Sequence, residues 1–174
     1  MKEQSGVDHA TNRLTTLLFI IYLCAIYWIL LLKLGVHFSY MRNRQANFIP
    51  FNEHVILTSE NILNVVIFIP LGVYAGILFE RWSFGKKLFL FFFLSLLVEG
   101  LQYIFRLGAF DVTDMITNTS GGVIGFIIAK SIEKAFNSSV KAQKFINKLA
   151  AAGTFLLILL LFLLKMNMLP VRYQ

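Results

Sequence analysis

The stretch "VEGLQYIFRLGAFDVTDMITNTSGGVIG", Val98 to Gly125, joins two apolar runs through a short polar break, and whether its second half crosses a membrane decides the fold. It carries Glu99, Gln102, Arg106, Asp111, Asp114 and Asn118 in a chain that is 57% hydrophobic and only 14% charged. An ionised group at membrane depth costs about 2–3 kcal/mol on insertion scales, less near the interface, so such residues face a bundle interior or a wet cavity.

Outward from this stretch, composition sets the class. Runs such as "FLLILLLFLL" exceed what a soluble core of 174 residues needs, and the chain reads as an integral membrane protein. Its net charge of +7 marks cytoplasmic segments and contact with anionic lipid, with no nucleic-acid partner expected. A single Cys24 inside an apolar run rules out a disulfide framework. The scattered His9, His37 and His54 offer no helical ligand spacing, so neither a metal nor a cofactor is expected.

Five apolar segments predict an all-α, polytopic membrane helix bundle of five transmembrane helices: Leu14–Leu32, Ile62–Phe79, Leu88–Phe105, Asp111–Ala129 and Leu149–Leu164. The first has 19 uncharged residues, about 28 Å of helix, and no small-residue cleavage site follows it before Lys33, so it is read as a retained span. Pro70 sits in the middle of the second, and the fifth is apolar on all sides, as a lipid-facing anchor would be. Ten Lys and Arg fall on the side of the N-terminus and six on the other, which places the N-terminus in and the C-terminus out. A re-entrant fourth segment would strand the five lysines of Lys130–Lys148 outside. The expected organisation is a cytoplasmic tail over 1–13, a membrane domain over 14–164 and an external tail over 165–174, in the cell membrane.

This topology gathers the polar residues at the outer face. Glu99, Gln102 and Arg106 are spaced by three and four, as are Asp111, Asp114, Asn118, Gly121 and Gly125, and each set falls on one helix face. Asn61 and Asn64 do the same at the head of the second span. A purely structural account has Arg44 and Arg106 pairing with Glu99, Asp111 and Asp114 while asparagines bridge helices. Its weakness is that interhelical hydrogen bonds in membranes average only about 0.6 kcal/mol. Asp111 has the preference of a helix N-cap, Asp114 suits the positive end of the helix dipole, and Gly121 with Gly125 forms a close-packing G-x-x-x-G pattern. "NFIPFNEH" is a hydrophobic knot in a polar loop, fit either to dip into the interface or to lid the polar site.

"RQANFIPFNE", "ENILNVVIFIPLG", "EGLQ" and "FRLGAFDVTDMITNTSGGVIG", in this order over about residues 40–129, resemble the VanZ-like family of small bacterial membrane proteins. The resemblance implies that Arg44, Asn47, Asn64, Glu99, Gln102, Arg106, Asp111, Asp114 and Asn118 are signature positions, with Pro50, Phe51, Pro70, Gly72 and Gly125. It also implies a link to teicoplanin, a lipid-bearing glycopeptide antibiotic, to which the founding member is associated with resistance.

Guanidinium groups hold phosphates or carboxylates bidentately, and Glu99, Asp111 and Asp114 could act as acid or base or bind a hard cation beside a phosphate-bearing ligand. No Ser or Cys nucleophile stands beside an evident base, so whether the protein is an enzyme stays open. The leading expectation is a polar site opening to the outer leaflet that binds a lipid or lipid-linked envelope precursor through the nine polar signature residues. The alternatives are an intramembrane enzyme using Glu99, Asp111 and Asp114 on an envelope lipid, a small transporter, and a packing-only scaffold.

Reporter fusions should place Lys86 and Lys141 in the cytoplasm and Asn47 and Gln174 outside. Lys141 and Asn47 on the same side would eliminate the five-span arrangement.

Overall fold

Apolar runs in lipid must satisfy their backbone groups internally, and helices do so. Helices dominate the computed structural model, which describes residues 2–32, 43–51 and 58–166. They are α1 (Lys2–Leu32), α2 (Ser59–Leu78), α3 (Phe84–Phe105), α4 (Val112–Phe136) and α5 (Ser139–Lys165). Two short strands, β1 (Ala46–Asn47) and β2 (Phe110–Asp111), pair in parallel, with Asn47 opposite Asp111. Among the described residues four helical stretches are long and apolar enough to cross a membrane: Thr11–Leu30, Ser59–Leu78, Phe84–Phe105 and Val112–Phe136. The fifth expected segment lies within α5 and is not among those four. Residues 33–42 and 52–57 of the expected outer loop, and 167–174 of the expected tail, lie outside the described residues.

Two segments differ from the sequence reading. The expected N-terminal tail is helical from Lys2 and continuous with the first span. The lysine-rich stretch from Lys130 to Lys148, read as a connecting loop, is nearly all helix. Its one break is Asn137, a residue type that tolerates the left-handed conformation and here caps α4 at φ 47°. The Ser138 hydroxyl then accepts the Lys141 N–H at 3.4 Å as α5 begins.

Cross-helix contacts fix the directions. Asn64 meets Asp114, and further along Gly76 faces Ala129, so α2 and α4 run parallel. Ser95 meets Asn118 while Phe91 faces Gly122, so α3 is antiparallel to α4. Tyr22 donates to the Ile67 carbonyl at 2.8 Å and Phe19 touches Tyr74 and Phe79, so α1 is antiparallel to α2. One end of the bundle thus collects the C-termini of α1 and α3 with the N-termini of α2 and α4.

The α2–α4 seam brings backbone against backbone. A Cβ at Gly72 would lie 1.8 Å from the Gly122 carbonyl oxygen, and one at Gly125 would lie 1.9 Å from that of Ile69. No side chain fits there, so the G-x-x-x-G pattern has the packing role expected of it. Around the seam Phe68, Leu71, Ala75 and Phe91 are fully buried, and Ile26 brings α1 onto them.

α5 is held differently, by polar side chains near its start. Gln143 Nε2 donates to Asn12 Oδ1 at 2.8 Å and to Thr15 Oγ1 at 2.7 Å, and Asn147 Nδ2 donates to the Thr11 carbonyl at 3.3 Å. The Thr15 hydroxyl lies 3.0 Å from Asn147 Oδ1. Thr15, Gln143 and Asn147 are buried, and α5 runs parallel to α1, since Asn12 shares a cleft with Ser139 and Gln143 while Ile21 and Ala25 share a groove with Ala150 and Leu157. Beyond this clasp Leu149, Phe155, Leu156, Ile158 and Phe162 are exposed, as a lipid-facing helix requires.

Opposite signs are expected for two glycine substitutions followed by thermal unfolding in detergent. Gly125→Ala should destabilise by on the order of 3 kcal/mol, because a backbone carbonyl must move. Gly153→Ala meets nothing within 4 Å and should stabilise by about 0.5–1 kcal/mol through helix propensity alone. Similar responses from both would refute the seam.

Candidate functional site

The site begins where α4 begins. Asp111 is extended at φ −124° and ψ 123°, and its Oδ1 accepts the Thr113 N–H at 2.7 Å, so it is the N-cap that its residue type suggests. Its Oδ2 accepts from Asn47 Nδ2 at 3.0 Å, and its own N–H donates to Glu99 Oε2 at 3.1 Å. Glu99, on α3, is 2% exposed. One turn deeper, Asp114 Oδ1 accepts from Asn64 Nδ2 at 2.7 Å, joining α4 to α2.

Another turn down, Asn118 is 1% exposed and donates to Ser95 Oγ at 3.1 Å. Its Oδ1 is buried with no hydrogen-bond partner among the described residues, and a buried orphan acceptor carries a penalty of about 1–3 kcal/mol. From Asp111 to Asn118 the polar column descends about 10 Å by helical rise.

Gln102 sits beside this column. Its Nε2 donates to the Leu30 carbonyl at 3.1 Å and its own carbonyl accepts the Leu107 N–H at 2.8 Å, so it ties the end of α3 to the end of α1.

The arginines depart from the sequence reading. Helical spacing put Arg106 on the face of Glu99 and Gln102, but α3 ends at Phe105 and Arg106 caps it in the left-handed conformation, at φ 59°. It is exposed at the rim, as is Arg44, which lies 5.8 Å over the Tyr103 ring and donates to the Ile104 carbonyl at 3.3 Å. Among the described residues the one salt bridge joins Lys130 to Glu133 at the opposite end of the bundle. Neither arginine is a counter-ion for Glu99, Asp111 or Asp114 there.

The hydrophobic knot is tied to the mouth of the column. β1 pairs with β2, the Phe48 and Phe110 rings lie 5.8 Å apart, and the Phe51 N–H donates to Thr113 Oγ1 at 3.0 Å. Phe51 has φ 53°, a left-handed conformation that costs a bulky residue about 1–3 kcal/mol. Phe48 and Ile49 nevertheless point outward, 70% and 62% exposed. Asn52, Glu53 and His54 of the same motif lie outside the described residues.

Two participants escaped the sequence reading. Ser95 was legible, because it stands four residues before Glu99 and continues the same stripe. Thr113 was not, since only the fold shows that its hydroxyl receives the Phe51 N–H. The assembled site presents acceptors inside, on three carboxylates and the Asn118 amide, and guanidinium donors at the rim.

Residues 19–137 match the family model described as VanZ/LLP1, a range that contains all nine candidate site residues. The chain is 36% identical over 148 residues to Protein VanZ of Enterococcus faecium, covering 83% of this chain and 88% of that protein. No solved structure matches.

A double-mutant cycle on Asn64→Ala and Asp114→Ala, read by unfolding in detergent, should give a coupling of about 1.5–3 kcal/mol, the worth of a hydrogen bond to a charged group. Strict additivity would mean that the α2–α4 polar tie contributes nothing.

Proposed function

The chain belongs to the VanZ family, and from that premise we propose that it is a five-span protein of the cell membrane whose Asp111 end opens to the outer leaflet. There it binds a lipid or lipid-linked envelope component, and through that binding it influences glycopeptide susceptibility. The excess of Lys and Arg on the N-terminal side supports this orientation. A fifth crossing by α5 is supported by its direction, parallel to α1, and by its exposed apolar surface.

The observation that carries the binding reading is the buried column's last acceptor, Asn118 Oδ1, which ties no helix to another. The glycine seam already joins α2 to α4, and an orphan acceptor weakens a scaffold. A ligand hydroxyl or amine would satisfy that acceptor, and the rim arginines would take a phosphate or carboxylate. Glu99 and Asp111 each accept a backbone N–H, and Asp114 accepts the Asn64 amide. These bonds favour positioning over acid–base work. The exposed Phe48 and Ile49 beside the mouth suit the apolar part of an amphiphile.

Combining Arg44→Gln with Arg106→Gln tests this, since both side chains are exposed and stability should change by less than about 0.5 kcal/mol. In cells where the wild-type protein alters teicoplanin susceptibility, the double variant should abolish the effect. An anionic amphiphile seen by mass spectrometry of the purified wild-type protein should also disappear. Full retention of both would refute the outer site.

A further inference from the structure

The opposite end of the bundle holds a second feature, distinct from the Asp111 site. A cleft of about 680 Å³ opens between α1, α2, α4 and α5, with Asn12, Glu80, Arg81, Trp82, Glu133 and Gln143 on its polar wall. An apolar groove of about 360 Å³ adjoins it, lined by Tyr22, Pro70 and Tyr74 on one side and Ala150, Gly153 and Leu157 on the other. Ile146 borders both, so the two volumes meet at one residue. Each is within the range of about 300–1,000 Å³ typical of small-ligand sites.

We infer that this cleft and groove together bind one phospholipid whose headgroup carries both a phosphate and a primary amine. Charge supports the headgroup assignment. Lys130 holds Glu133 at 2.6 Å, while adjacent Glu80 and Arg81 in the α2–α3 turn are exposed groups of opposite sign, Glu80 also lying in the field of the Lys87 ammonium. Arg81 takes the phosphate and Glu80 the ammonium, an arrangement that an anionic headgroup without an amine satisfies only in half. Trp82, stacked on Phe79 at 4.5 Å, gives this mouth the rigid amphipathic wall found at membrane–water interfaces.

The groove takes one acyl chain. It lies beside Pro70 and Tyr74 within α2, where the small side chains of Ala150 and Gly153 leave space between α5 and α2. A Cβ at Gly153 would meet nothing within 4 Å. The Thr15–Gln143–Asn147 clasp keeps α5 at this spacing by fixing its start against α1. In lipid no hydrophobic force draws α5 inward to close the gap, so an acyl chain fills it by packing. With the N-terminus in, the headgroup belongs to the inner leaflet.

Native mass spectrometry after reconstitution in an equal mixture of phosphatidylethanolamine and phosphatidylglycerol, followed by detergent extraction, tests the inference. The wild-type protein should retain one phosphatidylethanolamine about tenfold in preference to phosphatidylglycerol. Gly153→Leu, whose Cβ meets nothing within 4 Å and whose side chain takes up the groove, should lose it while unfolding at an unchanged or higher temperature. Glu80→Gln combined with Arg81→Gln should erase the preference between the two lipids. Retention of neither lipid, equal retention of both, retention unaffected by Gly153→Leu, or a second copy of the chain in place of lipid would each overturn the assignment. An amphiphile that persists in Gly153→Leu and departs in the Arg44/Arg106 variant belongs to the Asp111 site, which keeps the two readings separable.

Discussion

Backbone contact between α2 and α4, at Gly72 and Gly125, is the constraint on which the rest of the structure depends. Helices in lipid gain nothing from burying apolar surface against one another, so close approach through small residues is what joins them. Because these two helices are parallel, both of their N-termini arrive at one end of the bundle. The positive ends of two helix dipoles therefore converge where Glu60, Asp111 and Asp114 lie, each carboxylate at or within the first turn of its helix. Anionic side chains are stabilised there by the same packing that brings Asn64 to Asp114. The polar column is thus a product of the seam's direction: an antiparallel pair would have put Asn64 and Asp114 at opposite faces of the membrane.

Much of this was legible where local chemistry and tertiary structure ask for the same residue. Asp111 reads as a cap and is one, Gly121 and Gly125 read as a packing face and form one, and Asn64 and Glu99 read as inward-facing and are buried. Arg106 misled because periodicity assumes that the helix continues. It stops one residue earlier, where the Leu107 and Gly108 N–H groups turn back to the Gln102 carbonyl. Gln143 and Asn147 were hidden among lysines that made their segment look like a loop, although they carry the buried contact with α1. Lys87 was hidden in the same way. Counted among cytoplasmic charges, it is in fact buried, its ammonium on the Trp82 carbonyl and 5.3 Å from the centre of the Phe126 ring.

The two ends of the bundle differ in how their polar groups are used. At the Asp111 end, carboxylates and amides reach across α2, α3 and α4, and the VanZ/LLP1 match spans all of these elements before stopping at Asn137. At the other end the buried amides of α5 clasp α1, and α5 lies beyond that match. The range matched by the family model therefore contains the whole polar column, whereas the cleft at the other end also draws on α5, which lies outside that range.

The pairing of β1 with β2 has a consequence for biogenesis. Ala46 and Asn47 leave the ribosome some sixty residues ahead of Phe110 and Asp111, and Asn64 precedes its partner Asp114 by 50. Until α4 is delivered, α2 waits in the bilayer with its glycine edge bare and the segment after β1 lacks the Thr113 hydroxyl that receives the Phe51 N–H. Arrival of the fourth helix closes the seam, the strand pair and the cap together. Maturation of the Asp111 site is consequently a late event in synthesis, and a nascent chain halted before Phe110 has neither the strand pair nor the cap.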